Sequence, residues 1–107
     1  MSARDRRIGR NEALLRSVNE RIEEVGGAFT LHNEPLEFVC ECANLDCTEP
    51  VSLRRSEYQR ARQEPTWFIV VEGHETPDVE RVVGRIGEYL LVEKVEPDAA
   101  ATARETA

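Results

Sequence analysis

The sequence predicts a small α+β domain, and three features carry that expectation. Apolar residues recur at spacings of three and four between Leu14 and Val25, residues 67–71 and 89–92 form β-branched and aromatic runs, and glycines and prolines punctuate the chain between these segments. A chain of 107 residues forms one domain, and domains of that size bury only about 60–68 % of the surface the unfolded chain exposes. With 40 % hydrophobic residues and six aromatics, such a core gains from a cross-link, a metal or a partner.

The first element is a helix. Asn11 is its candidate N-cap, Leu14, Leu15, Val18, Ile22 and Val25 form one apolar stripe, and Gly26-Gly27 ends it. Residues 36–42 follow as a strand, with Leu36, Phe38, Cys40 and Cys42 on one side and Glu37, Val39 and Glu41 on the other. "ANLD" (43–46) turns the chain, because Asn44 and Asp46 tolerate tight backbone geometry.

Ser52 reads as the N-cap of a short second helix over 53–64, which buries Leu53, Tyr58 and Ala61 and stops at Pro65. "TWFIVVEG" (66–73) is a buried strand, and "VERVVGRIG" with "EYLLVEKV" forms a hairpin or bent strand pair. The predicted order is αβαβββ around a small, mainly antiparallel sheet. Residues 1–10 are polar and basic and residues 97–107 offer almost nothing to a core. Both are expected to be disordered tails flanking a single domain over 11–96.

The net charge of -7 repels phosphate backbones, so nucleic acid is a disfavoured partner. Apolar runs are short and the Arg-rich N-terminus lacks a following apolar core, so neither a membrane-spanning helix nor a secretory signal is expected. That reading places the chain in a reducing cytoplasm, where clustered cysteines bind metal or do chemistry more often than they form disulfides.

All three cysteines, Cys40, Cys42 and Cys47, fall within eight positions. Two thiols at i and i+2 on a strand face the same way, and a turn of four residues can bring the third back over them. Three corners of a tetrahedron result, and a closed structural zinc site needs a fourth ligand. His74 is the leading candidate because "EGHET" follows a strand end directly; His32, before Pro35, is the competitor, and Asp46 is a further oxygen donor. Two other readings compete with zinc. Reduced cysteines serve well as small core residues, although Glu41, Asn44, Asp46 and Glu49 make these surroundings polar. Alternatively, Cys42 and Cys47 form a redox disulfide, a role that acidic neighbours disfavour by raising thiol pKa values.

The helix predicted after the cluster carries Arg54, Arg55, Arg60 and Arg62 against Glu57 and Glu64. It is either a solvated face of ion pairs or a dock for an acidic partner or a phosphate. No phosphate-binding glycine loop and no nucleophile elbow is present.

The run "FVCEC", the third cysteine, "SLRRSEY", "EPTWFIVVEGHE", "VERVV" and "EYLLVEK" together resemble a group of small bacterial proteins, mostly actinobacterial. The group shares F-x-C-x-C, a following Cys, an E-Y and a strand ending in G-H. The resemblance spans about residues 11–95 and implies that Cys40, Cys42, Cys47 and His74 act together; it implies no activity. The functional expectation is a non-enzymatic accessory or regulatory protein that binds another protein, with Zn2+ as scaffold. A zinc-thiolate redox sensor that releases its metal on oxidation is the alternative.

Overall fold

The computed structural model describes residues 3–29 and 34–106. Three helices and five strands follow in the order α1 (Ala3–Phe29), β1 (Pro35–Val39), β2 (Pro50–Arg54), α2 (Arg55–Ala61), β3 (Trp67–Val70), β4 (Glu80–Ile86), β5 (Tyr89–Lys94) and α3 (Pro97–Glu105). The α+β class is as the sequence predicts, but the strands form two antiparallel sheets, β1-β2 and β3-β5-β4.

The hairpin of β4 and β5 is as expected: the two strands pair antiparallel around the Gly87 turn, where φ is +61°. A bulge between Val82 and Gly84 bends β4. β5 is central and almost wholly buried, which suits its continuous run of Tyr89, Leu90, Leu91 and Val92. Phe38 of β1 stacks on Tyr58 of α2 with ring centroids 4.4 Å apart. Phe38 and Tyr58 join Val51, Leu53, Phe68, Ile69 and Val92 in one core.

Several expectations need correction, among them the bounds of the first helix, which starts before Asn11 and runs through Gly26 and Gly27 to Phe29. Leu53 is buried in β2 rather than in a helix, because Val51 and Leu53 alternate inward opposite β1. Ser52 is therefore no cap: its N–H donates to the Tyr89 hydroxyl at 3.0 Å, and Arg54 caps α2, with Glu57 accepting from its backbone N–H at 2.8 Å. The first strand ends at Val39, short of the cysteines. Of the segments expected as disordered tails, residues 3–10 and 97–105 are helical.

α1 begins at Ala3 and α3 docks against it. Ala99, Ala100 and Ala103 are buried, and a Cβ on Gly9 would lie 3.3 Å from Thr102. Small residues on both sides let the two axes approach. Alanine is the best helix former but leaves a weak periodic signal. Pro97 sits in the first turn, and Glu96 caps α3 by accepting from the Asp98 and Ala99 amides.

A further correction concerns the face that α1 presents to the core. Glu12, Arg16 and Asn19 are buried, whereas Leu14, Val18 and Val25 of the supposed core stripe are exposed. Arg16 donates to the Pro65 carbonyl at 2.5 Å, to the Ala103 carbonyl at 2.7 Å and to Thr106 Oγ1 at 2.8 Å, and it lies over the Phe68 ring. Glu12 and Glu80 both pair with the buried ammonium of Lys94. The helix is tied to the body by directed polar contacts.

Burial pushes the Glu12 carboxyl up from 4.5 to about 8, against the pull of Lys94. Its Oε1 has no hydrogen-bond partner, so a negative charge there is poorly compensated. The folded chain then binds one more proton than the unfolded chain between pH 4.5 and 8. Stability contributed by this group is complete below 4.5 and is lost as pH rises through 8. Glu12→Gln is expected to flatten that part of a denaturation-versus-pH profile. An unchanged slope in the variant would show that Glu12 does not hold the proton.

Candidate metal centre

The end of β1 releases the chain into "CEC", residues 40–42, whose side chains still alternate. Cys40 is buried, while Cys42 and Cys47 are partly open. Glu41 between them points the other way and is fully buried. Its Oε2 accepts from Asn19 Nδ2 at 2.8 Å and from the Tyr58 hydroxyl at 3.3 Å; its Oε1 accepts from the Ile69 amide at 3.0 Å and from Arg62 at 3.2 Å. The Glu41 amide donates in turn to the Ile69 carbonyl at 2.9 Å. One residue thereby anchors the thiol segment to α1, α2 and β3.

Asn19 extends the anchor. It accepts from the Val39 amide and donates to the Val39 carbonyl, both at 2.8 Å. These contacts hold the end of β1 as a neighbouring strand would.

The turn that brings Cys47 back is built as the sequence suggests. Ala43 adopts φ +70°, its carbonyl accepts from Asn11 Nδ2 at 2.9 Å, and the Cys47 amide donates to the Asn44 carbonyl at 3.0 Å. Asn44 Oδ1 also accepts from the Asp46 amide at 3.0 Å. Asn11, read from sequence as an N-cap, is a mid-helix residue that fastens this loop. On the other side, β3 ends and the chain turns through Gly73, at φ +93°, with the His74 amide donating to the Val71 carbonyl at 2.9 Å.

These two turns bring the four sequence candidates together. The donor atoms of Cys40, Cys42, Cys47 and His74 all lie within 4.8 Å of one another and can hold a metal ion. His74 Nδ1 stands 3.6 Å from Cys40 Sγ and 3.5 Å from Cys47 Sγ. Asp46 is not part of this group. His32, the competing ligand, lies outside the described residues.

Each sulfur also receives a backbone amide. Val71 donates to Cys40 Sγ at 3.2 Å, Asn44 donates to Cys42, and Glu49 donates to Cys47. Amides aimed at sulfur stabilise the thiolate over the thiol. Without a metal the charge localises: a hydrogen bond from Cys40 brings Cys42 down to about 5 against burial, while the same bond, then burial, pushes Cys40 up. Burial raises Cys47 as well. A dication at the centre would favour ionisation of all three.

The arginines near the cluster are largely engaged within the molecule. Arg55 pairs with Glu23 at 2.8 Å, Arg60 donates to the Arg85 carbonyl at 3.2 Å, and Arg62 bonds Glu41 and the Trp67 carbonyl. They form part of the scaffold, as the solvated ion-pair reading expects in part. Sequence reasoning missed Glu41 and Asn19 as supports of the site. The alternation of "CEC" placed Glu41 opposite the thiols, but nothing in the local pattern showed that this opposite side is interior.

Among the described residues no helix is long and apolar enough to cross a membrane. No family model, no curated protein and no solved structure matches the chain.

Proposed function

We propose that the chain is a zinc protein in which Cys40, Cys42, Cys47 and His74 hold one Zn2+ as a structural cross-link. The observation that carries this reading is the convergence of three thiols and one imidazole nitrogen from two turns, with an amide donating to every sulfur. Zinc–sulfur bonds of about 2.3 Å and zinc–nitrogen bonds of about 2.0–2.1 Å in a tetrahedron give sulfur–nitrogen edges of roughly 3.5 Å. The distances of 3.5 and 3.6 Å from His74 support that fit. Three soft thiolates and an imidazole suit zinc better than the oxygen-seeking divalent ions.

Four protein ligands close a tetrahedral site and leave no position for a catalytic water. The protein then acts as a non-enzymatic accessory or regulatory protein that binds another protein, with the ion joining 40–47 to the loop after β3. Native mass spectrometry with elemental analysis tests the metal. One zinc per chain is expected, weakened in His74→Ala and in Cys47→Ser, with a melting temperature lower by on the order of 10 °C in Cys47→Ser. Metal-free protein from a purification without chelator overturns the site. For the partner, a protein captured by wild type and lost with Cys47→Ser is expected; equal capture by both removes the role of zinc as scaffold.

A second reading keeps the same site as a redox sensor. It is favoured by the partial exposure of Cys42 and Cys47. Two zinc-bound thiolates give up two electrons to form a disulfide, peroxide takes these up with two protons as two waters, and the ion leaves. Stoichiometric zinc release by mild peroxide is its test. Retention of the ion under those conditions rejects it.

A further inference from the structure

A groove of about 410 Å³ opens where the start of β2, the chain leaving β3 and the turn between β4 and β5 meet. Each segment supplies an acid and an apolar neighbour: Glu49 with Pro50, Glu72 with Val71, and Glu88 with Tyr89. The three acids are exposed, whereas Val71 is half-buried and Tyr89 buried. No arginine or lysine lines the groove. Glu72 is paired at 2.6 Å with Arg85, which stands outside the lining, and Glu49 and Glu88 form no ion pair among the described residues.

This lining selects its occupant. Three carboxylates around one groove repel each other and call for a cation. A metal ion would leave the apolar half uncovered, because hard cations are held by oxygen ligands alone. An arginine or lysine side chain matches both halves, since its aliphatic stem lies along apolar surface while its head stays among polar groups. Arginine matches better, as its planar fork meets carboxylates two oxygens at a time.

The groove is also tied to the metal centre. The Glu49 amide donates to the Cys47 sulfur, the Val71 amide donates to Cys40 Sγ at 3.2 Å, and the Val71 carbonyl accepts from the His74 amide at 2.9 Å. Two of its three walls therefore stand where the four candidate ligands set them.

We propose that this groove docks a basic segment of a partner protein, with an arginine head among Glu49, Glu72 and Glu88 and its stem and an adjoining apolar residue over Val71 and Tyr89. The segment is the partner chemistry for the scaffold role proposed for zinc, and its docking rests on that role only for its dependence on metal.

The test is a titration of the zinc-loaded full chain with a labelled, capped peptide alternating arginine and valine, read by fluorescence anisotropy and by amide NMR shifts. The peptide is expected to bind and to shift Glu49, Glu72 and Glu88, and its citrulline counterpart, alike in shape but uncharged, is expected to lose most of the affinity. Glu49→Gln and Glu88→Gln should each weaken binding about 3–5-fold, with zinc content and melting temperature unchanged. Glu105→Gln, which removes the same charge from exposed α3, should leave affinity as it is. Binding that responds equally to all three substitutions, or to none, overturns the groove as the site. Equal affinity for spermine, a cation with no side chain to cover the apolar floor, overturns the peptide in favour of a polyamine. Zinc-loaded protein that takes no peptide overturns the docking and leaves the metal centre standing. Stripping the zinc should abolish binding, and undiminished binding by metal-free protein would keep the groove and remove the ion as its scaffold.

Discussion

Replacing Lys94 with methionine is expected to destabilise the folded chain by about 3–5 kcal/mol, because it leaves the buried Glu80 carboxylate without a cation, beside a Glu12 carboxyl that burial keeps protonated. Lys94, Glu12 and Glu80 are all buried, and they join β5, α1 and β4. Loss of this magnitude is a large share of the about 5–15 kcal/mol that holds a typical domain together. Urea denaturation at neutral pH measures it. The same triad replaced entirely by apolar residues should recover much of the loss, since a buried ion group seldom outperforms well-packed hydrophobic side chains. A Lys94→Met variant within about 1 kcal/mol of wild type would mean that water reaches the carboxylates and that the triad does not fasten the helix.

Glu41→Leu is the second large effect. The substitution strands four buried donors, on Asn19, Tyr58, Arg62 and Ile69. Each donor left unsatisfied costs about 1–3 kcal/mol before relaxation, so a total of about 3–5 kcal/mol is expected. Zinc affinity should fall in parallel, since Cys40 and Cys42 depend on the anchored segment for their positions. Glu41→Gln should fall between, because an amide keeps one acceptor oxygen. Competition with a chelator reads the affinity and thermal melting reads the stability. Full metal affinity in Glu41→Leu would show that the thiol segment is held by its sulfur ligands alone, and the anchoring role would be lost.

The metal candidates were legible in the sequence because their chemistry is rare and their spacing is short. Three cysteines in eight positions and a histidine just after a strand constrain each other before any fold is known. The supports of the site were not legible. Glu12, Arg16, Asn19 and Glu41 are buried, and a pattern of apolar spacing assigns such residues to solvent. Their burial rests on partners distant in sequence: 87 positions separate Arg16 from Ala103 and 22 separate Asn19 from Glu41. Leu14 and Val18 mislead for the same reason, as a periodic stripe identifies a face that wants covering but not what covers it. β2 was hidden by its length of five residues and by a serine that also suits a cap.

The polar stripe of α1 also sets an order of events during synthesis. Arg16 finds its acceptors at Pro65, Ala103 and Thr106, and Glu12 its cation at Lys94. As the chain leaves the ribosome, Glu12 and Arg16 of the first helix therefore wait for partners made 49 to 90 positions later. The four metal donors are all made by residue 74, before β4, β5 and α3 exist. Closing the shorter loop costs less entropy than closing the longer one. The four candidate donors can thus meet first, and the clasp of α1 onto α3 can form only once residues 97–106 have been made.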